Sequence, residues 1–210
     1  MMLENFKPMY NSVLRPFVLV LANTGIHPNH VTILGLLLFA TSGWLCAVQL
    51  WSIALLILIL GALMDGLDGL LARETGKQTV FGAILDSSCD RVTEIALLMG
   101  LLVYYMHNPV YGSWGIYLCF TAIAGSIMVS YVKARCEGAG LTCSRGLLQR
   151  PERIILFAIG LLLGGKPMVW ILLLITVLAA VTVIERLVEA CIECNKCTDR
   201  TTARNSNTVN

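Results

Sequence analysis

The chain has 210 residues, of which 57% are hydrophobic and 13% charged, and its mean hydropathy is +0.76. That composition excludes most soluble classes and points to the bilayer. The net charge is only +2, and with no clustered basic residues interleaved with aromatics nothing indicates a nucleic-acid partner.

In chain order, residues 1–15 lack the basic start, short apolar core and small-residue cleavage site of a signal peptide. Leu3, Phe6, Met9, Tyr10, Val13 and Leu14 instead recur at helical spacing. Such a stripe suits an amino-terminal amphipathic helix over residues 1–22, either lying in the membrane interface or packed on the bundle.

No Asp, Glu, Lys or Arg falls between Arg15 and Asp65. That run is too long for one crossing of roughly 20 residues, so it reads as a hairpin of two spans. Its turn belongs near residues 49–52, where Trp51 and short polar residues suit the headgroup region. Further apolar stretches cover residues 82–105, 114–132, 154–163 and 169–184. The stretch over 154–163 is short, but a helix starting at Gly146 would carry Arg150, Glu152 and Arg153 to the membrane surface, with Pro151 tolerated in its first turn. The expected fold is all-α: an integral membrane bundle of six transmembrane helices over residues 23–190, followed by a polar tail, 191–210.

Eight cysteines are scattered through spans and loops facing a reducing compartment, where disulfides are not expected. Cys191, Cys194 and Cys197 alone cluster, one ligand short of a structural zinc site. Residues 198–210 carry few large apolar side chains and read as disordered.

Lys7, Arg15, Arg73, Lys77, Lys133, Arg135, Arg145, Arg150, Arg153, Lys196, Arg200 and Arg204 fall on one side of these spans, and Lys166 on the other. Cationic loops stay cytoplasmic, so a multi-pass cell-membrane protein with both termini inside is expected.

Intramembrane charge is costly and marks function. Asp65 and Asp68 are three apart at the end of the second span, and Asp86 and Asp90 are four apart at the start of the third, so each pair shares a helix face. The short connection between these spans makes them antiparallel neighbours with four carboxylates facing one another. Like charges at close range cannot all stay ionised in a low dielectric, and divalent cations resolve the conflict. Oxygen ligands favour magnesium, manganese or calcium over zinc. Around the acids, Gly69 and Gly82 permit close approach of a base or phosphate to a helix backbone, Ala72 keeps that face shallow, and Arg73 offers a cationic fork to phosphate.

The full series, Asp65-x2-Asp68-Gly69-x2-Ala72-Arg73-x8-Gly82-x3-Asp86-x3-Asp90, resembles the signature of the CDP-alcohol phosphotransferase family at every position. Upstream, the stretch with Pro28, Asn29 and Thr32 is similar to the family's Pro-Asn-x-x-Thr opening of the first span. Downstream, the segments holding Ser130, Lys133 and Arg135, and Arg150 to Arg153, resemble the branch that makes phosphatidylinositol phosphate or archaetidylinositol phosphate. The resemblance extends over residues 25–186.

It implies an enzyme that moves a phosphatidyl or archaetidyl group from CDP-diacylglycerol or CDP-archaeol to an alcohol and releases CMP. Asp65, Asp68, Asp86 and Asp90 would bind two metal ions, Mg2+ or alternatively Mn2+, with Asp90 also the general base. Asn29, Thr32, Asp68, Gly69, Ala72, Arg73, Thr79 and Gly82 would hold the donor. Ser130, Lys133, Arg135, Arg150, Arg153 and Arg186 at the cytoplasmic level suit a phosphorylated acceptor, inositol 1-phosphate, with glycerol 3-phosphate as runner-up. A homodimer is also implied. A cation or proton-coupled transporter would explain intramembrane acids, but the chain lacks the internal repeats and broken helices of such folds. A prenyltransferase would explain the acids and not Gly69, Ala72 and Arg73.

Overall fold

The computed structural model describes the backbone of residues 7–108, 111–141, 143 and 146–207, and the side chains of the same segments from 14 to 195. Most of the stripe over residues 3–13, the basic residues Arg145, Lys196, Arg200 and Arg204, and Cys197 therefore lie outside the described side chains.

Seven helices and no strands are present among the described residues: α1 (Lys7–Asn23), α2 (Pro28–Ala47), α3 (Trp51–Glu74), α4 (Val80–Met106), α5 (Gly112–Gly138), α6 (Arg150–Leu163) and α7 (Met168–Asn207). Each long apolar run forms a helix because backbone polar groups have no partners in hydrocarbon except one another. The helices α2, α3, α5 and the first 28 residues of α7 are long and apolar enough to cross a membrane, which makes this a multi-pass membrane protein. The 27-residue α4 departs from that pattern because it carries Asp86, Asp90, Arg91 and Glu94. Helix α6 has only 14 residues.

The hairpin turn falls where expected, with Gln49 in the left-handed region (φ 64°) between α2 and α3. Trp51 is only part-exposed and meets the edge of Tyr104 at a ring separation of 4.7 Å. Helix α6 starts at Arg150 rather than Gly146; the preceding loop is fastened to α7 by the Leu148 amide donating to the Thr182 hydroxyl at 3.1 Å. The backbone of α7 continues helically to Asn207 through a tail expected to be disordered. Extending an existing helix needs no new nucleus, which is the physical reason polarity alone misleads there.

One expectation of the packing is overturned. The acid-bearing helices α3 and α4 are not neighbours: α2 packs against both of them, and among the described residues α3 and α4 do not pack on each other. Glycines make this arrangement possible. A Cβ at Gly100 of α4 would collide with the Gly43 carbonyl of α2, and a Cβ at Gly43 would strike the Ala96 carbonyl. The two backbones are therefore in direct contact, as small residues allow between membrane helices. On the other face of α2, Ser42 donates to the Ala54 carbonyl of α3 at 2.8 Å.

Helix α5 packs on α4 and α7, and α6 on α3 and α7. The main core joins Phe39, Leu58, Leu98, Leu101, Tyr105, Phe157 and Leu172, and the Tyr105 hydroxyl is satisfied by the Gly165 carbonyl at 2.9 Å. Leu14 and Val18 of α1 are buried in a second cluster with Val31, Leu67 and Leu71, while Phe17 and Val20 point outward.

The α2–α4 contact generates a test. Gly100→Val should destabilise the folded protein by about 2 kcal/mol or more through overpacking, lowering its thermal midpoint in detergent. Gly138→Ala, whose added Cβ would meet nothing within 4 Å, should leave that midpoint unchanged.

Candidate active site

The acids of α3 and α4 meet across the start of α2. One carboxylate oxygen from each of Asp65, Asp86 and Asp90 lies within 4.8 Å of the others. Asp68 stands slightly apart: it is 5% exposed and accepts a hydrogen bond from the Thr32 hydroxyl of α2 at 2.5 Å. Three carboxylates converge, therefore, with the fourth tied to α2 beside them. The reason is the intervening helix: α2 offers Asp68 a nearer partner than the acids of α4.

A guanidinium lies among the three. Arg150, at the first position of α6, places Nη1 at 2.6 Å from Asp65 Oδ2 and 2.8 Å from Asp90 Oδ1. Its position is fixed further by the Phe39 ring at 6.0 Å. Expected among the acceptor residues, Arg150 instead pairs with the acids of α3 and α4 while also lining the basic cavity described below. A cation in that position is what three close carboxylates need in a low dielectric.

Two cavities adjoin the acids. The larger, about 540 Å³, is lined by Asn29, Thr32, Asp68, Gly69, Ala72, Arg73, Thr79, Gly82 and Asp86, together with Lys77 and Gln78. All eight positions expected to hold the donor are thus in one cleft. Local structure explains why. Thr79 caps α4, its hydroxyl accepting from the Gly82 amide at 2.9 Å, so the positive end of the α4 dipole faces the cleft. His27 caps α2 in the same way through the Asn29 amide at 3.3 Å. A Cβ at Gly82 would stand 3.0 Å from the Thr79 hydroxyl and 3.4 Å from the Asn29 amide oxygen, so glycine there lets the two helix starts converge. The Arg73 guanidinium lies over Gly69, 3.7 Å from where a Cβ would be. Sequence reasoning passed over Lys77, whose Nζ reaches the Gly25 carbonyl at 3.4 Å.

The smaller cavity, about 180 Å³, is lined by Asp90, Arg91, Glu94, Ser130, Lys133, Gln149, Arg150, Arg153 and Arg186, among others. Five of the six positions expected to bind the acceptor meet here. Arg135 does not: Ser130 and Lys133 share one face of α5 at spacing three, and Arg135 is turned away and exposed. Arg153 and Arg186 are 2% and 5% exposed, and Arg186 Nη1 donates to the Val129 carbonyl. Arg153 is gripped by Glu94, Nε to Oε1 at 2.5 Å and Nη2 to Oε2 at 3.0 Å. Glu94 was missed, although it lies one helical turn beyond Asp90 and the cost of intramembrane charge applied to it equally.

Among the described residues, Cys191 and Cys194 are exposed and lie outside both cavities, and no cysteine joins a group able to hold a metal. The all-oxygen set of Asp65, Asp86 and Asp90 suits a hard divalent cation.

The comparisons agree with this geometry. The chain is 35% identical over 190 residues to the archaetidylinositol phosphate synthase of Pyrococcus horikoshii, covering 90% of this chain and 96% of that one. It is 34% identical over 166 residues to the phosphatidylinositol phosphate synthase of Mycobacteroides abscessus, covering 74% and 71%. The crystal structure of Mycobacterium tuberculosis phosphatidylinositol phosphate synthase with manganese and citrate superposes with a TM-score of 0.77 at 30% identity, over 83% of this chain and 87% of that one. The same enzyme with CDP-DAG bound gives 0.75 at 29% identity, over 83% and 92%. The family model for CDP-alcohol phosphatidyltransferase matches residues 25–184. Four acids in register, a glycine-lined cleft on one side of them and a basic cavity on the other therefore make this chain a membrane phosphotransferase, a member of the CDP-alcohol phosphatidyltransferase family.

Proposed function

We propose that this enzyme transfers a phosphatidyl-type group from a CDP-activated lipid to inositol 1-phosphate. One observation carries the reading: the acids border both cavities, Asp68 and Asp86 lining the larger cleft and Asp90 the basic one. The relatives named as inositol-phosphate-lipid synthases and the relative with CDP-DAG bound support the same pairing of substrates.

The donor's nucleotide occupies the larger cleft. Its diphosphate meets Arg73 and Lys77 and the start of α4, while the lipid tails stay in the bilayer. Asp65, Asp68, Asp86 and Asp90 would hold two magnesium ions, or manganese in their place. Bound there, the metal supplies charge stabilisation on the diphosphate and the departing CMP. The acceptor's phosphate lies in the basic cavity against Lys133, Arg153 and Arg186, charged donors suited to phosphate oxygens. Its hydroxyl then faces Asp90, the acid common to the cluster and that cavity. Asp90 takes the hydroxyl proton as the acceptor oxygen bonds to the lipid-linked phosphorus and the bond to CMP breaks. Arg150 holds Asp65 and Asp90 in place through its paired contacts.

The catalytic bundle spans residues 23–190, with α4 and α6 completing six transmembrane helices and α1 at the interface. Both termini and the site face the cytoplasm, as the one-sided distribution of Lys and Arg requires, and two copies form a homodimer.

CMP release by the purified protein tests the acceptor. With CDP-diacylglycerol or CDP-archaeol as donor, inositol 1-phosphate should support turnover while free inositol and serine do not. Turnover with free inositol equal to that with the phosphate would remove the role given to the basic cavity, glycerol 3-phosphate as the sole acceptor would move the reading to the runner-up, and no CMP with any acceptor would contradict the proposed reaction.

A second test concerns the base. Asp90→Asn should lower kcat by about a thousandfold or more while CDP-lipid still binds, whereas Asp65→Asn and Asp86→Asn should also weaken donor binding. Near-normal turnover by Asp90→Asn would rule out the assignment.

A further inference from the structure

Arg153 and Glu94 form a buried ion pair, their side chains 3% and 11% exposed. Both Glu94 oxygens are engaged: Oε1 accepts from Arg153 Nε at 2.5 Å and from the Ser126 hydroxyl of α5 at 2.8 Å, and Oε2 accepts from Arg153 Nη2 at 3.0 Å. Arg153 Nη1 donates to the Leu148 carbonyl at 3.2 Å. A guanidinium has five N–H groups, so three are fixed by α4 and the loop before α6, and two remain for a ligand in the cavity that both residues line.

We infer that Glu94 is a positioning residue for the acceptor: it holds the Arg153 guanidinium in one plane so that its remaining donors meet the acceptor phosphate, and so sets acceptor recognition. The inference rests on the assignment of a phosphorylated acceptor to the basic cavity. Chemistry favours this role over plain stabilisation. A carboxylate in a phosphate cavity repels the ligand unless its charge is already taken up, and the two-pronged contact with Arg153 takes it up. A fork held at both prongs keeps its orientation, whereas an unheld arginine has many rotamers to lose on binding. Ser126 holds the far side of the same carboxylate, so α4, α5 and α6 meet at this one group.

The test measures kcat and KM for inositol 1-phosphate at saturating CDP-lipid, with wild type, Glu94→Gln, Arg153→Gln and the double variant. Glu94→Gln should raise the acceptor KM by about tenfold or more, the scale of losing well-placed charged hydrogen bonds, with kcat within about threefold and CDP-lipid affinity unchanged. The double variant should be no worse in KM than Arg153→Gln alone, because Glu94 acts through Arg153. A purely structural role would lower the thermal midpoint and donor affinity together, with no selective effect on acceptor KM. Unchanged acceptor KM in Glu94→Gln, or additive losses in the double variant, would overturn the inference. If Glu94→Gln does not fold, Ser126→Ala removes only the outer hydrogen bond; it should shift acceptor KM in the same direction by a few-fold, and an unchanged KM there counts against the inference. Should wild type use only glycerol 3-phosphate, the acceptor assignment fails, and the same comparison made with that substrate decides the role of Glu94 separately.

Discussion

The structure turns on the cost of holding several carboxylates together where water is scarce. Asp65, Asp86 and Asp90 bring their oxygens within 4.8 Å, a separation at which mutual repulsion in a low dielectric drives protonation or requires a cation. Arg150 meets that demand with contacts of 2.6 and 2.8 Å to Asp65 and Asp90, and Thr32 meets it for Asp68 by donating a hydrogen bond. The same demand makes the cluster a natural place for a divalent ion. Counter-charge and ligand set are two aspects of one electrostatic fact.

Geometry follows from how α2 is used. Its glycine contact with α4 and its packing against α3 put a helix between the two that carry the acids. The pairs therefore meet only near the start of α2, and a cleft opens beside them where a nucleotide has room. On the other side of α4, the turn from Asp90 to Glu94 links the acid cluster to the basic cavity. Acids are spread along that helix: Asp86 lines the larger cleft, Asp90 the basic cavity, and then comes Glu94, whose charge is absorbed by Arg153. Under the proposed function, an activated lipid and an anionic acceptor approach one set of carboxylates from two sides.

Much of this was legible in the residues. The uncharged run before Asp65, the spacing of the four acids and the glycines between them define the helices and the larger cleft, because intramembrane charge and helical periodicity are local properties. Long-range packing was not legible. A short α3–α4 connection suggests direct contact, and nothing local reveals that Gly43 and Gly100 admit α2 instead. Arg150 groups with the acceptor residues in the sequence because its carboxylate partners lie far away along the chain, and Arg135 groups with them because helix phase on α5 is not visible without the fold. Glu94 is different: its spacing from Asp90 was visible, and only its pairing with Arg153, 59 residues away, needed the fold.

Mn2+ and a CDP-lipid bound to the protein together, located by anomalous scattering in a crystal, address the central claim most directly. The account expects manganese within ligand distance of Asp65, Asp86 and Asp90, with the cytidine in the cleft of Arg73 and Thr79 and the basic cavity left to the acceptor. Manganese bound away from these carboxylates, or a nucleotide seated against Arg153 and Arg186, would contradict it.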